Sequence, residues 1–473
     1  MQSDRRLWRG REETVKRRIY RGLLSLIGLC LLLAVSGCGF SFSPEELYSL
    51  PQLPAEYTEL NNCINQVIES GAEYAAPVSG SNIQSVQLED LNGDGEEEAV
   101  AFFRNTADEK PLKIYIFTAE EETYRQTAVI EGTGTSIYSI AYEDLDQDGW
   151  KELLVGWRVN TDLQALSVYT LRSGVPEELI RGTNYVRYAV NDLNQDDLWE
   201  LVVFRADAEG NGMADYYCWE DGALQLRTSA RITSTMAELS QQGRVKSGTL
   251  ADNSPALFVT GVEESAWMAT DILTVKNGEL VNILLSDVTG VSSEVAPFCS
   301  LYPEDINGDN ITEVPRPVTE HGRNGEEDDG VWRIDWYAFA GDGTGTLVLQ
   351  TYHNVEDGWY LRLQEPWDGQ VAAVRSSGTD ESAVTFSYRE NEADIPFLRI
   401  TKLTGPSREI RATRGGRIIL RRQMETIYTA ELLEANETWR HGLSEDELLE
   451  AFNLITQEWT CLLYTSDAAD EAR

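Results

Sequence analysis

The sequence predicts an all-β chain, a six- or seven-bladed β-propeller with short helices flanking its N- and C-terminal ends. Three observations carry that expectation. An acidic nonamer is written four times: DLNGDGEEE at 90–98, DLDQDGWKE at 144–152, DLNQDDLWE at 192–200 and DINGDNITE at 305–313. Successive copies start 54, 48 and 113 residues apart, and the last interval holds two units of about 50 residues, a propeller-like period. Each unit carries about four short apolar runs, the number of strands in a blade, and 37 Gly with 14 Pro supply the turns.

Residues 1–37 read as a secretory signal. Eight Lys/Arg and three acids lead into the apolar run 22–34, which is short for a membrane span of about 20 residues. Val35, Ser36 and Gly37 then stand directly before Cys38. That arrangement resembles a bacterial lipobox, which implies lipidation at Cys38 and an anchor on the extracellular face of the cell membrane. Residues 38–54, with Pro44, Pro51 and Pro54, read as a tether. In 55–81, a helix over 55–70 would place Tyr57, Leu60, Ile64, Val67 and Ile68 on one face, and Gly71 would end it.

The repeats occupy 82–422. In the first unit, strands are expected at 85–88, 98–104, 112–118 and 124–130, where Lys113 to Phe117 alternates in polarity. The continuous apolar runs 153–155 and 201–204 read as inner strands. A worn copy of the nonamer, around Leu250 and Asp252, keeps its apolar strand and has lost its acids. Runs at 359–363, 371–375, 383–388 and 397–403 make a sixth unit with no acidic loop, and 418–420 a closing strand. The polar stretch 319–330 reads as a surface insertion. Residues 423–460 read as helical: Ser444 and Glu447 form a capping box, and Leu448, Phe452, Ile455 and Trp459 make one apolar stripe. The final segment, 461–473, resembles the read-through translation of a sequencing adapter and is given no role.

The nonamers carry the chemistry. Side-chain oxygens recur at the first, third, fifth and ninth positions: Asp90, Asn92, Asp94 and Glu98; Asp144, Asp146, Asp148 and Glu152; Asp192, Asn194, Asp196 and Glu200; Asp305, Asn307, Asp309 and Glu313. All-oxygen sets suit a hard cation such as Ca²⁺. The second position is always apolar (Leu91, Leu145, Leu193, Ile306), as a plug onto the core. The alternative is a set of acidic turns that face water. These loops resemble the calcium-binding turns of FG-GAP and VCBS repeats, β-propeller blades found in integrin α-chains and many bacterial surface proteins. The resemblance implies structural Ca²⁺, with a further backbone carbonyl from the seventh residue: Glu96, Trp150, Leu198 and Ile311. The sixth residue needs a positive φ, which Gly95 and Gly149 suit; Asp197 and Asn310 depart from that pattern.

Charge narrows the partners. The formal net charge is −40, and removing the basic leader leaves about −45, a body that repels nucleic acid and anionic lipid. Catalytic signals are sparse: the three histidines (His321, His353, His441) read as exposed, and neither a nucleophile elbow nor a zinc-protease motif occurs. Cys63, Cys218 and Cys299 are expected as buried free thiols, and most of the tryptophans as blade packing. The expected function is a non-enzymatic, lipid-anchored binding or scaffold module for a protein or glycan partner. The alternative is a carbohydrate-active enzyme or lectin on the same propeller.

Overall fold

The computed structural model describes residues 58–120, 123–220, 222–264, 266–318, 332–367, 369–391 and 393–455. The signal, tether, Cys38, His321, Trp459, the 319–330 stretch and the final tail lie outside them. The described residues from Asn62 onward form one compact unit.

Among the described residues six antiparallel sheets follow one another along the chain. The first contains Val86–Glu89, Glu98–Arg104, Leu112–Glu120 and Thr123–Gly132, and Glu73–Tyr74 pairs beside Val86–Glu89 on the same strand. The second runs Ser136–Glu143, Glu152–Arg158, Gln164–Thr170, Glu177–Tyr185, and the third Arg187–Asn191, Glu200–Ala206, Gly212–Glu220, Ala223–Ile232. The fourth, Arg244–Thr249, Pro255–Glu263, Trp267–Lys276 and Glu279–Asn282, gains Glu294–Pro297 on its third strand. Four-strand meanders joined by short turns are the blades the period predicted.

The first, third and fifth sheets also share a register shift in the strand that follows the one each acidic nonamer enters, at Ile116/Phe117, Tyr216/Tyr217 and Trp336/Tyr337. Such bulges bend a strand and raise its twist. A defect placed alike three times marks one plan repeated.

In the first four sheets the second strand is buried on both sides along most of its length. Glu98–Arg104 and Glu152–Arg158 are buried at all but their last residue. Their side chains divide between two neighbours: Val100, Phe102, Ile140 and Val155 share the first–second core, while Leu154, Val168, Leu201 and Val203 share the second–third. Phe204 and Val259 link third to fourth, Phe258 and Val314 fourth to fifth, and Tyr352 and Phe386 fifth to sixth. Each fully buried side chain of this size contributes roughly 1.5–3 kcal/mol. Face-to-face packing in chain order is therefore what holds the sheets together.

The C-terminal third departs from the sequence expectation. Trp359–Arg362 belongs to the fifth sheet, after Glu313–Val318, Trp332–Phe339 and Gly345–Asn354, and Phe452–Leu454 pairs onto its edge. The sixth sheet is Val371–Gly378, Glu381–Glu390, Ala393–Leu403, Ile427–Leu432 and Ile418–Arg422. Residues 423–460 are thus not simply helical. Their described helices are Glu434–Thr438 and Glu445–Ala451, the latter with the expected Ser444–Glu447 capping box. Leu448 is buried as the stripe requires, but Phe452 sits in a strand, its ring beside Trp359. At the other end a helix spans Thr58–Glu69, with Ile64 and Val67 buried.

Candidate metal centre at the acidic loops

Three of the acidic loops join the first and second strands of their sheets; the fourth runs into Glu313–Val318, and an isolated bridge, Glu304 to Glu313, stands where a first strand would. The worn copy makes the equivalent turn in the fourth sheet. There Asp252 accepts from Ser254 N (3.1 Å) and from Gly341 N (3.0 Å), so its carboxylate closes turns.

All four loops close alike. The ninth-position glutamate, buried at the start of its strand, accepts from the backbone N–H of the second residue. Leu91 N donates to Glu98 (2.9 Å), Leu145 N to Glu152 (3.1 Å), Leu193 N to Glu200 (2.9 Å) and Ile306 N to Glu313 (3.2 Å). The second residues are buried plugs. The first aspartate accepts from the sixth residue's N–H in every loop, at 2.8–3.2 Å. The seventh residues, Glu96, Trp150, Leu198 and Ile311, each donate N–H to the fifth-position aspartate.

The sixth residue has positive φ throughout: 88° at Gly95, 92° at Gly149, 67° at Asp197 and 66° at Asn310. The departures from Gly keep the turn, because Asp and Asn tolerate the left-handed region better than other side chains. A second left-handed position, the fourth, went unnoticed in the sequence: Gly93, Gln147, Gln195 and Gly308 all adopt it. Two of these are Gln, which carries no such signal.

Neighbouring loops are laced through the backbone. Lys151 N donates to Leu91 O (2.8 Å) and Trp199 N to Leu145 O (2.9 Å), the eighth residue of one loop reaching the second of the loop before. Thr312 N reaches Thr249 O (2.9 Å), beside the worn copy. Lys151 also pairs with Glu89 of the first sheet.

Carboxylates converge most in the middle loops. Asp144, Asp146 and Glu152 offer oxygens within 4.8 Å of one another, as do Asp192, Asp196 and Glu200. Among the described residues the first and fourth loops, with Asp90, Asp94 and Glu98 and with Asp305, Asp309 and Glu313, form no carboxylate group this tight. Burial, reinforced by the neighbouring aspartates and opposed by the backbone N–H, pushes Glu152, Glu200 and Glu313 up to about 7. Glu98 is raised for the same first reason. Asp146 Oδ1 and Glu152 Oε1 are buried without a hydrogen-bond donor. An all-oxygen donor set with buried, undonated oxygens fits a hard divalent cation.

The other sequence candidates resolve differently. His353 is buried, not exposed: its Nδ1 meets Thr351 Oγ1 at 2.9 Å, its ring stacks on Tyr360, and burial lowers its pKa to about 3. His441 Nε2 accepts from Arg440 at 2.6 Å. Cys63, Cys218 and Cys299 form no disulfide; only Cys218 is fully buried, against the expectation for all three. Trp336, Trp359 and Trp367 are core, whereas Trp267 is half exposed.

A family model described as an FG-GAP-like repeat matches residues 90–155, the first two nonamers and the sheet between them. Residues 90–155 thus carry an FG-GAP-like repeat, and the antiparallel sheets packed in chain order give the chain a β-propeller fold. No curated protein sequence matches the chain. Solved structures similar to it include the exotype rhamnogalacturonan lyase YesX, at 11% identity and TM-score 0.25, covering 69% of this chain and 72% of that one. The Dos1 propeller aligns at 9% identity and TM-score 0.28, over 57% of this chain and 65% of that one, just under two thirds of its length. AofleA from Arthrobotrys oligospora aligns at 7% identity and TM-score 0.24, over 70% and 90%. Superpositions this loose carry no argument about activity.

Proposed function

We propose that this chain is a lipid-tethered, non-catalytic scaffold outside the cell, an FG-GAP propeller whose loops are rigidified by calcium and which displays its remaining surface to a protein or glycan. The observation that carries the reading is the identical closure of four acidic loops, three of them laced to the loop or worn turn of the sheet before. The side chains at positions one, three, five and nine, with the backbone carbonyl at seven, would hold the ion in each loop. Bound calcium supplies positive charge that offsets carboxylate repulsion. This chain's residues do the rest: the apolar plug fixes the loop on the core, and the buried glutamate ties its two ends.

A non-catalytic role agrees with where the titratable groups lie. The glutamates raised by burial close loops, and His353 is packed inside the fifth sheet. The test is a screen of the purified full-length chain against a polysaccharide panel, following both binding and reducing ends. A result of neither binding nor turnover agrees with the scaffold; saturable binding without turnover would favour a lectin, and release of products a carbohydrate-active enzyme. The tether has its own check. Cys38→Ala should move the protein out of the membrane fraction or leave its precursor uncleaved, and unchanged processing with unchanged retention would remove the anchor from the account.

A further inference from the structure

The four loops are not electrically equivalent. The third position is Asn in three of them (Asn92, Asn194, Asn307) and Asp only in the second, at Asp146. Where it is Asn, the side-chain amide donates to the ninth-position glutamate, to Glu98 at 3.1 Å, Glu200 at 2.8 Å and Glu313 at 3.3 Å. A carboxylate cannot donate in this way. In the second loop the corresponding oxygen, Glu152 Oε1, therefore lacks a donor, and Asp146 Oδ1 lacks one too.

That extra negative charge is answered from the next turn of the same sheet. The Arg172 guanidinium pairs with both Asp146 and Asp148. Strand register shows what the other loops have there. Tyr169 pairs with Leu153, just as Phe117 pairs with Ala99, Tyr217 with Leu201 and Tyr337 with Val314. Three residues beyond those partners stand Arg172, Glu120, Glu220 and Ala340. Among the motif loops only the second, the one with the added carboxylate, has a cation at this register position, while the third has Glu220, which pairs with Arg227.

We propose that Arg172 is the built-in counter-cation of the second loop and competes with calcium for Asp146 and Asp148. The loop richest in carboxylates then takes calcium less readily than its composition suggests. Arg172 has somewhere to go when displaced, since its guanidinium already lies 6.0 Å from the ring centre of Trp219 in the third sheet, within cation–π reach. The proposal rests on the calcium reading above and adds which loop is self-neutralised.

The second loop carries its own reporter. Trp150 is its seventh residue, where the other loops have Glu96, Leu198 and Ile311, and a tryptophan beside a bound terbium ion sensitises that ion's emission. Terbium, a calcium surrogate, is titrated into the full chain and into Arg172→Met. A Trp150→Phe version of each keeps the backbone carbonyl and isolates the Trp150-dependent signal from any due to Trp199. The expected result is a Trp150-dependent midpoint at least about tenfold lower in Arg172→Met, equivalent to 1.4 kcal/mol or more, with added calcium quenching the emission in both. An unshifted or higher midpoint overturns the role of Arg172 while leaving the calcium reading in place. Absence of terbium emission from every tryptophan in both proteins overturns the calcium reading, and the proposal with it.

Discussion

His353 shows how one residue's surroundings set a pH response. Trp336 Nε1 donates to Thr351 Oγ1 at 2.8 Å, and the same hydroxyl meets His353 Nδ1 at 2.9 Å. Burial holds the imidazole neutral and lowers its pKa from 6.5 to about 3. Between those values the unfolded chain binds the proton and the folded one does not. This residue's contribution to stability is therefore complete above about pH 6.5 and is lost as pH falls toward 3. His353→Gln should lower stability at neutral pH yet flatten the acid limb of a melting-temperature profile between pH 6.5 and 4. An acid limb as steep as in the parent would show that His353 does not titrate on unfolding.

At the scale of the element, the lacing between loops separates two glycines two residues apart in strain but not in conformation. Gly93 and Gly95 both have positive φ. A Cβ on Gly95 would meet nothing within 4 Å, whereas one on Gly93 would stand 2.6 Å from the carbonyl oxygen of Gly149 in the next loop. Gly95→Ala should cost about 1–2 kcal/mol, the left-handed penalty alone. Gly93→Ala should cost clearly more, because a backbone atom of another sheet must give way. Equal losses in denaturant melts of the two variants would mean that the loops are not held against each other.

The same contrast explains what the sequence reveals. The loops are legible because their ligands, plug and turn fall within nine residues, and the second strands because burial on both faces makes them continuous apolar runs. The capping box at Ser444 is legible for the same local reason. The outer partner of Trp359–Arg362 is not, since it lies at Phe452–Leu454, far along the chain. Ile427–Leu432 becomes a strand by pairing with Ala393–Leu403, a contact that leaves no periodic mark in its six residues. Arg172 is hidden likewise: nothing near it names Asp146, and only strand register shows it standing where other sheets place Glu120 and Glu220.

For the whole molecule the governing fact is charge. A chain of net charge −40 concentrates carboxylates in four loops fixed to buried strands, and there repulsion cannot relax by chain motion. A ligand that favours the folded state stabilises it by RT ln(1 + [L]/Kd), about 2.7 kcal/mol per loop at one hundred times Kd. Extracellular calcium modules have Kd on the order of 10⁻⁴–10⁻³ M, so millimolar calcium is the relevant range. Thermal melting of the full chain in 10 mM calcium and in chelator, for the parent and for Asp192→Ala with Asp196→Ala in the third loop, tests this most directly. The account predicts a melting temperature several degrees higher with calcium, and a smaller gain in the double variant. Melting that is the same with calcium and with chelator would contradict it, and would leave the four loops as acidic turns.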